Sequence, residues 1–269
     1  MSRWAVCLLM IAVGLSVTGC LQPYVNDERL DRGLVIVLSG IEGRSMQTLA
    51  ICEGLDRGGV DSAIEIFDWA AWVSPLESLQ DRSRNRRQAG LVAARISEYQ
   101  DTYPGRPTYV VGQSGGGGLA VWVAESMPRG RQLDGVILLA PAISPEYPLL
   151  AALLATHRGI VNFYSQGDWV VLGLGTSMYG TIDGKMTNSA GMMGFSRAAT
   201  AGLRSRGPKL IQVAWSEEMI GEGHLGGHMT SGSMAFVRRY VAPFIAGDGD
   251  AWESSSADPP GRDARDARE

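Results

Sequence analysis

Short apolar runs separated by longer stretches of mixed polarity dominate the chain. Leu34–Leu38 is apolar without interruption, which is typical of a strand buried on both faces of a parallel sheet. We predict a strand there and at five further runs of similar character: Ala63–Phe67, Thr108–Val111, Gly135–Ala140, Gly159–Ser165 and Gly207–Trp215.

Helical patterns lie between these runs. Apolar residues at spacings of three and four form a stripe from Ala89 to Tyr103, and another lies on Ser233–Ile245. Ser45–Asp56 and the apolar segment Leu119–Met127 are also predicted to be helical. Because strands and helices alternate, the sequence predicts an α/β fold with a mostly parallel sheet of about six strands and helices on both faces.

The folded domain is predicted to span residues 33–246. From Gly247 onward the chain consists mainly of Asp, Ser, Pro, Gly and Arg, so residues 247–269 are predicted to be a disordered tail. The 24 basic and 28 acidic residues give a net charge of −4, which offers no electrostatic basis for binding nucleic acid.

The N-terminus has the features of a targeting segment. A positive residue precedes the apolar run Trp4–Val17, which is shorter than the about 20 residues that a membrane-spanning helix needs. The run ends in Val17-Thr-Gly-Cys20, which resembles the lipobox of bacterial lipoproteins. This resemblance implies a signal peptide over residues 1–19, lipid on Cys20 and a tether over residues 20–32. We therefore expect a lipid-anchored protein of the bacterial cell envelope, facing the periplasm. An uncleaved helical anchor or an ordinary secretory signal is the alternative.

Cysteine usage is compatible with this interpretation. Cys7 would leave with the signal peptide and Cys20 would be a thioether, so Cys52 would be the remaining free thiol. With no disulfide available inside the domain, the apolar core alone must stabilise it.

The sequence Gly112-Gln-Ser-Gly-Gly116 stands where the strand Thr108–Val111 gives way to a helix. It matches the G-x-S-x-G nucleophile elbow, a sharp turn that exposes a serine Oγ at the edge of a sheet. The turn presses the residues two before and two after the serine together, which favours glycine, and it strains the backbone of Ser114. Gly117 and Gly118 each cost about 1 kcal/mol relative to alanine in a helix, which indicates tight packing at the helix start. A flexible loop or a phosphate-binding loop is the alternative, but no G-K-[ST] follows.

The elbow and its surroundings resemble the α/β-hydrolase superfamily of serine esterases and lipases, over roughly Leu34 to Ile245. In that family an acid after a later strand and a histidine before the last helix follow the serine along the chain. The resemblance implies that Ser114 is the nucleophile and that the N–H groups of Gly115 and Ile41 form the oxyanion hole. Ile41 lies in the loop after the first strand, where Ser39 stands in place of the family's frequent histidine.

Three histidines are candidates for the base that must activate the serine. His157 precedes a predicted strand, whereas His224 and His228 fall between the last strand and the last helix. We prefer His228, because it directly precedes the residues that would cap the helix and glycines before it let the loop fold back over the sheet. His224 is the alternative.

Asp168 lies three residues beyond the end of the strand Gly159–Ser165 and falls between the serine and the late histidines. In the family's order it would orient the imidazole and stabilise the imidazolium, although a turn aspartate is the structural alternative. Glu146 is the second candidate, and Asp183 and Glu217 are weaker ones. The two late histidines lack the glutamate and third ligand of a zinc helix, so we expect no metal and no cofactor.

The sequence therefore predicts a serine hydrolase that acts on a carboxylic ester or similar acyl substrate through an acyl-enzyme. The insertion Met178–Arg206 could roof the site, and Trp69, Trp72 and Trp169 could line an apolar pocket for a small-molecule or lipid-like ester. The alternatives are a non-catalytic envelope lipoprotein that uses the fold as a binding platform, and an acyltransferase or amidase with the same triad.

Overall fold

A computed structural model describes residues 22–70, 74–167, 180–203, 208–247 and 250–254. Their strands form one parallel sheet of six strands in the order β2-β1-β3-β4-β5-β6. The strands are β1 (Leu34–Leu38), β2 (Ala63–Phe67), β3 (Thr108–Gln113), β4 (Leu133–Leu139), β5 (Thr156–Tyr164) and β6 (Lys209–Ala214). The predicted fold class is confirmed.

Helices connect the strands and cover the sheet. They are α1 (Asp27–Leu30), α2 (Met46–Arg57), α3 (Pro75–Gln80), α4 (Arg82–Thr102), α5 (Gly115–Glu125), α6 (Leu150–Leu154), α7 (Ala190–Met193), α8 (Met234–Phe236), α9 (Pro243–Ala246) and α10 (Asp250–Ser254). Shorter 3-10 turns occur at Arg197–Thr200, Glu217–Glu222 and His228–Gly232. A π-helical turn, Val237–Val241, joins α8 to α9, so the predicted C-terminal helix is present but irregular.

The sheet separates two apolar cores. Because successive strand residues point to opposite faces, Leu34 and Ile36 of β1 pack with α4, α5 and α6, whereas Val35 and Val37 pack with α2 and the C-terminal helical segment. All five residues of β1 are fully buried. This double burial explains why the strand is apolar without alternation.

The segment predicted to be a tether differs from expectation over residues 22–32. The Gln22 side chain donates to the Ile66 carbonyl at 2.9 Å and accepts from the Ile66 N–H at 2.9 Å. The Ile64 N–H donates to the Tyr24 carbonyl at 3.1 Å, and Arg29 pairs with Asp56 at 2.7 Å. The chain therefore runs antiparallel along the outer edge of β2 before it enters β1.

Part of the predicted tail also packs on the domain. Trp252 of α10 is buried, and its indole N–H donates to the Phe244 carbonyl at 2.8 Å. The ring occupies space left by Gly135, where a Cβ would lie 2.7 Å from the indole. Trp252 therefore anchors residues 250–254 to the sheet.

The structure describes one cysteine, Cys52 of α2, which is a buried free thiol. Burial raises the pKa of Cys52 to about 12, so the sulfur stays protonated. Among the helices in the described ranges, none combines the length and the hydropathy needed to cross a bilayer.

Candidate active site

Ser114 occupies a strained turn between β3 and α5. Its backbone angles are φ 55° and ψ −122°, a region that residues with a side chain rarely adopt. Neighbouring backbone groups hold it: the Ser114 N–H donates to the Leu139 carbonyl at 3.0 Å, and the Ala142 N–H donates to the Ser114 carbonyl at 2.8 Å. The last residue of β4 and the turn that follows it therefore hold Ser114 through both its N–H and its carbonyl.

Close contacts with neighbouring backbone and side-chain atoms explain the glycines around Ser114. A Cβ on Gly112 would lie 2.2 Å from the Gly116 carbonyl oxygen, and one on Gly116 would lie 2.2 Å from that of Ser39. Cβ atoms on Gly117 and Gly118 would lie 2.7 Å from Pro141 and 2.3 Å from Ile182, respectively. The predicted tight packing at the helix start is confirmed.

The loop after β1 faces the elbow from the other side. The Ile41 side chain is 2.7 Å from the position that a Cβ of Gly115 would take, so these two residues are close neighbours. Neither the Ile41 N–H nor the Gly115 N–H has a hydrogen-bond acceptor within the described ranges. The two residues predicted to supply the oxyanion donors are thus close neighbours.

Trp69 packs against the loop after β1. It is fully buried, its indole N–H donates to the Ser39 carbonyl at 2.8 Å, and its ring lies beside Gly115. It therefore belongs to the core rather than to the wall of an open pocket. The other two tryptophans proposed as pocket residues, Trp72 and Trp169, lie outside the described residues.

The structure brings His228 to the elbow. It begins the turn His228–Gly232 after β6 and is 6% exposed. Its Nε2 lies 3.5 Å from Nε2 of Gln113, the residue that precedes Ser114. A loop from the far edge of the sheet therefore returns across its carboxyl end and places this imidazole beside the nucleophile turn.

His224 has a different environment. Its Nδ1 accepts a hydrogen bond from the Gly226 N–H at 3.3 Å and lies 3.1 Å from the Thr230 hydroxyl. The ring packs edge-on against Phe236 with the centroids 4.6 Å apart. Burial lowers the pKa of His224 to about 4, so the ring is neutral near pH 7, with the proton on Nε2. These contacts make it part of the loop's internal structure.

His157 lies at the opposite end of the molecule. It is the second residue of β5 and its side chain is exposed. Because the strands are parallel, the start of β5 is at the amino edge of the sheet, whereas Ser114 is at the carboxyl edge.

The predicted acid, Asp168, lies outside the described residues. The chain just before it contacts the histidine loop: the Ser165 hydroxyl donates to the Gly226 carbonyl at 2.6 Å, and the Gly167 N–H donates to the Ser165 hydroxyl at 3.2 Å. The chain three residues before Asp168 therefore contacts the loop that carries His228.

The other acids considered from the sequence have separate settings. Asp183 is buried, and its carboxylate accepts hydrogen bonds from the Ser144 N–H at 2.9 Å and from the Ser144 and Thr181 hydroxyls. It fastens the insertion to the loop after β4. Glu146 and Glu217 are exposed.

The described part of the insertion, residues 180–203, is attached to the body of the domain. The Ile182 N–H donates to the Ala142 carbonyl at 2.9 Å and the Ala190 N–H donates to the Ile143 carbonyl at 2.7 Å. A cavity of about 520 Å³ opens beside it, between Arg82, Ser144 and Lys185. Since none of Ser114, Gly115, Ile41 or His228 lines this cavity, it is separate from the elbow.

Comparison with known proteins identifies the fold. No family model and no curated protein matches the chain. Lipase B from Aspergillus fumigatus aligns with a TM-score of 0.50 at 14% identity, over 81% of this chain and 54% of the lipase. Est1E from Butyrivibrio proteoclasticus aligns at 0.47 and 13% identity, over 82% of this chain and 88% of Est1E. An esterase domain from a Rhodothermus marinus protein aligns at 0.44 and 13% identity, over 82% and 89% of the two chains.

The chain has the α/β-hydrolase fold, since its parallel sheet and its flanking helices agree with its structural similarity to the Aspergillus lipase. At such low identity the similarity defines the fold alone. This chain also spans little more than half the length of the Aspergillus lipase.

Proposed function

We propose that the protein is a serine hydrolase that cleaves a carboxylic ester or similar acyl group through a covalent acyl-enzyme. The observation that carries this proposal is the strained Ser114, with a buried histidine beside the preceding residue and with two neighbouring residues, Gly115 and Ile41, whose amides have no acceptor among the described residues. Backbone strain at a polar residue is typical of functional turns, because the rest of the structure must offset its cost.

His228 is the proposed general base. It takes the proton from Ser114 Oγ during attack on the substrate carbonyl and returns it to the leaving alcohol. His224 is a poor candidate, because its Nδ1 already accepts a hydrogen bond from the Gly226 N–H and because burial lowers its pKa, which makes the ring a weak base. Asp168 is the proposed acid, which would hold the imidazole in the correct tautomer. The contact of Ser165 with Gly226 supports this placement.

The N–H groups of Gly115 and Ile41 are the proposed oxyanion donors. Preorganised donors of this kind lower a barrier by about 3–4 kcal/mol each. The close approach of the Ile41 side chain to Gly115 supports the pairing, because it places the loop after β1 directly beside the first turn of α5.

We also propose that the protein is anchored in the bacterial cell envelope by lipid on Cys20. The motif Val17-Thr-Gly-Cys20 supports this location. Its proposed substrate is a small-molecule or lipid-like ester, within reach of a protein held at a membrane surface.

A fluorophosphonate probe tests the nucleophile directly. Wild-type protein should be labelled at Ser114, and Ser114→Ala should lose the label while keeping its circular dichroism spectrum. Ser126→Ala is the matched control, because Ser126 caps the other end of the same helix and bonds only to a helix carbonyl. It should label normally.

Absence of labelling in folded wild-type protein would contradict the hydrolase proposal and favour a binding platform. Hydrolysis of a series of p-nitrophenyl esters of increasing chain length would then define the acyl group that the site accepts.

A further inference from the structure

Exposed apolar side chains lie near the carboxyl edge of the sheet, beside the elbow. Within the described ranges eight large apolar residues are exposed: Met46, Leu91, Leu154, Met186, Met193, Ile220, Leu225 and Met229. Soluble surfaces rarely group such residues without a partner.

Three of them form a rim beside the proposed base. Met46, Leu225 and Met229, which we name the apolar rim, are 81%, 66% and 58% exposed. The Gln47 side chain donates to the Met229 carbonyl at 2.7 Å, and the Leu225 N–H donates to the Thr230 hydroxyl at 3.1 Å. These bonds hold the start of α2 and the histidine loop side by side.

The chain outside the structure begins at this same edge. Residues 22–24 run antiparallel to β2, with Gln22 bonded to Ile66 near the carboxyl end and Tyr24 bonded to Ile64. Cys20 precedes Gln22 by two residues in the sequence, and two residues of fully extended chain span at most ~7 Å. A lipid anchor on Cys20, or an uncleaved membrane helix, would therefore attach beside the carboxyl end of β2.

The attachment point, the rim and the elbow are close to one another. β2 and β3 are separated by β1, which corresponds to roughly 10 Å across the sheet. The loop after β1 bridges this distance, since a Cβ on Gly43 would lie 3.0 Å from the Asp68 carboxylate after β2 and the same loop leads to Met46. A membrane attached just before Gln22 would therefore lie near the loop that leads to the apolar rim.

We propose that the apolar rim is a docking surface for the lipid bilayer and that it turns the mouth of the elbow towards the membrane. The methionine and leucine side chains enter the acyl boundary, while the short link to Cys20 fixes which edge faces it. This orientation favours acyl esters carried in the bilayer surface as substrates. This part of the inference rests on the proposed hydrolase function.

Fluorescence quenching in the full-length protein tests the orientation. Single cysteines at Met229 and Leu154 are labelled with an environment-sensitive fluorophore, and the protein is inserted in phosphatidylcholine vesicles that carry nitroxide-labelled lipid. Leu154 is the matched position, because it is 57% exposed at the amino edge, just before β5. Protein without an added cysteine gives the background, and Cys52 is buried.

The label at 229 should be quenched several-fold more than the label at 154. Equal quenching at both positions, stronger quenching at 154 or no quenching at either would overturn the docking surface. Quenching does not require turnover, so its result is independent of the proposed hydrolase function.

A second measurement compares substrates. The triple variant Met46→Ser/Leu225→Ser/Met229→Ser should hydrolyse a water-soluble short ester at the wild-type rate and an ester embedded in vesicles roughly tenfold more slowly, because apolar area no longer enters the bilayer. The variant Leu91→Ser/Leu154→Ser, at exposed sites away from this edge, should leave both rates unchanged. An equal loss on both esters, or no loss on either, would contradict the proposal.

Discussion

His224 and His228 lie four positions apart in one loop and differ in what their ring nitrogens contact. His224 Nδ1 is occupied within the loop, by Gly226 and Thr230, whereas His228 Nε2 lies against Gln113 at the elbow. A residue that holds a loop together and a residue that moves a proton respond differently to substitution. Kinetics and stability measurements can therefore separate their roles.

Replacing His228 should remove the proposed base. We expect His228→Ala to lower kcat/KM for a soluble p-nitrophenyl ester by about 10³-fold or more, because general-base catalysis supplies about 10²–10⁴-fold. His224→Asn should lose less than about tenfold, since an amide oxygen can accept in place of Nδ1. A larger loss in the His224 variant, with both proteins folded by circular dichroism, would reverse the assignment.

Acid should weaken the fold through His224. Its pKa is about 4 in the folded protein and 6.5 in its ordinary state, so between these values the unfolded chain binds more protons. The contribution of neutral His224 to the free energy of unfolding is complete above about pH 6.5. As the pH drops to 4, the free energy of unfolding falls by about 3 kcal/mol. Urea unfolding of wild type and His224→Asn at pH 7 and pH 4.5 measures this. An identical pH dependence in the two proteins would contradict it.

At the scale of single elements, the turn between β3 and α5 has no room for a side chain at Gly116. Gly116→Ala would place a Cβ 2.2 Å from the Ser39 carbonyl oxygen and 2.4 Å from that of Leu38, both of which are backbone atoms that cannot move aside cheaply. We expect a loss of at least about 3 kcal/mol in the free energy of unfolding.

Gly90 provides the matched control for this substitution. It lies within α4, and a Cβ there would have no atom within 4 Å. Gly90→Ala should stabilise the protein by about 0.5–1 kcal/mol through helix propensity. If both substitutions had the same effect in urea unfolding, close packing would not be the reason for glycine at 116.

The elements that the sequence predicts well are those decided by burial along one strand or helix. The bounds of β1 and β2 agree with the prediction. The stripe from Ala89 marks the buried face of α4, but the helix begins at Arg82, since the Asp81 side chain caps it at the Arg84 N–H. Local pattern therefore finds elements more reliably than their first residues.

Contacts between distant polar residues could not be predicted in this way. Gln22 bonds to the backbone of β2, and Gln113 meets His228 across 115 positions. Neither glutamine carries a distinguishing local signal, although Gln113 occupies the variable position of the elbow motif. The same limit explains why the sequence predicts a tether over residues 20–32.

At the scale of the whole molecule, the N-terminal cysteine should decide where the protein resides. Cys20→Ser removes the thiol that would carry lipid, so the protein should move from the membrane fraction to the soluble fraction. Fractionation with immunodetection measures this. Cys52→Ser is the control, because that buried thiol lies inside the domain and should leave the distribution unchanged. Membrane association that survives Cys20→Ser would contradict the lipoprotein hypothesis.

The positive φ of Ser114 has a consequence for protein engineering. Glycine would adopt that backbone conformation without steric cost, so Ser114→Gly is expected to melt at a higher temperature than the natural chain. A screen for heat resistance alone would therefore tend to discard the very hydroxyl on which the proposed reaction depends. Any directed-evolution scheme for this protein has to score turnover together with survival.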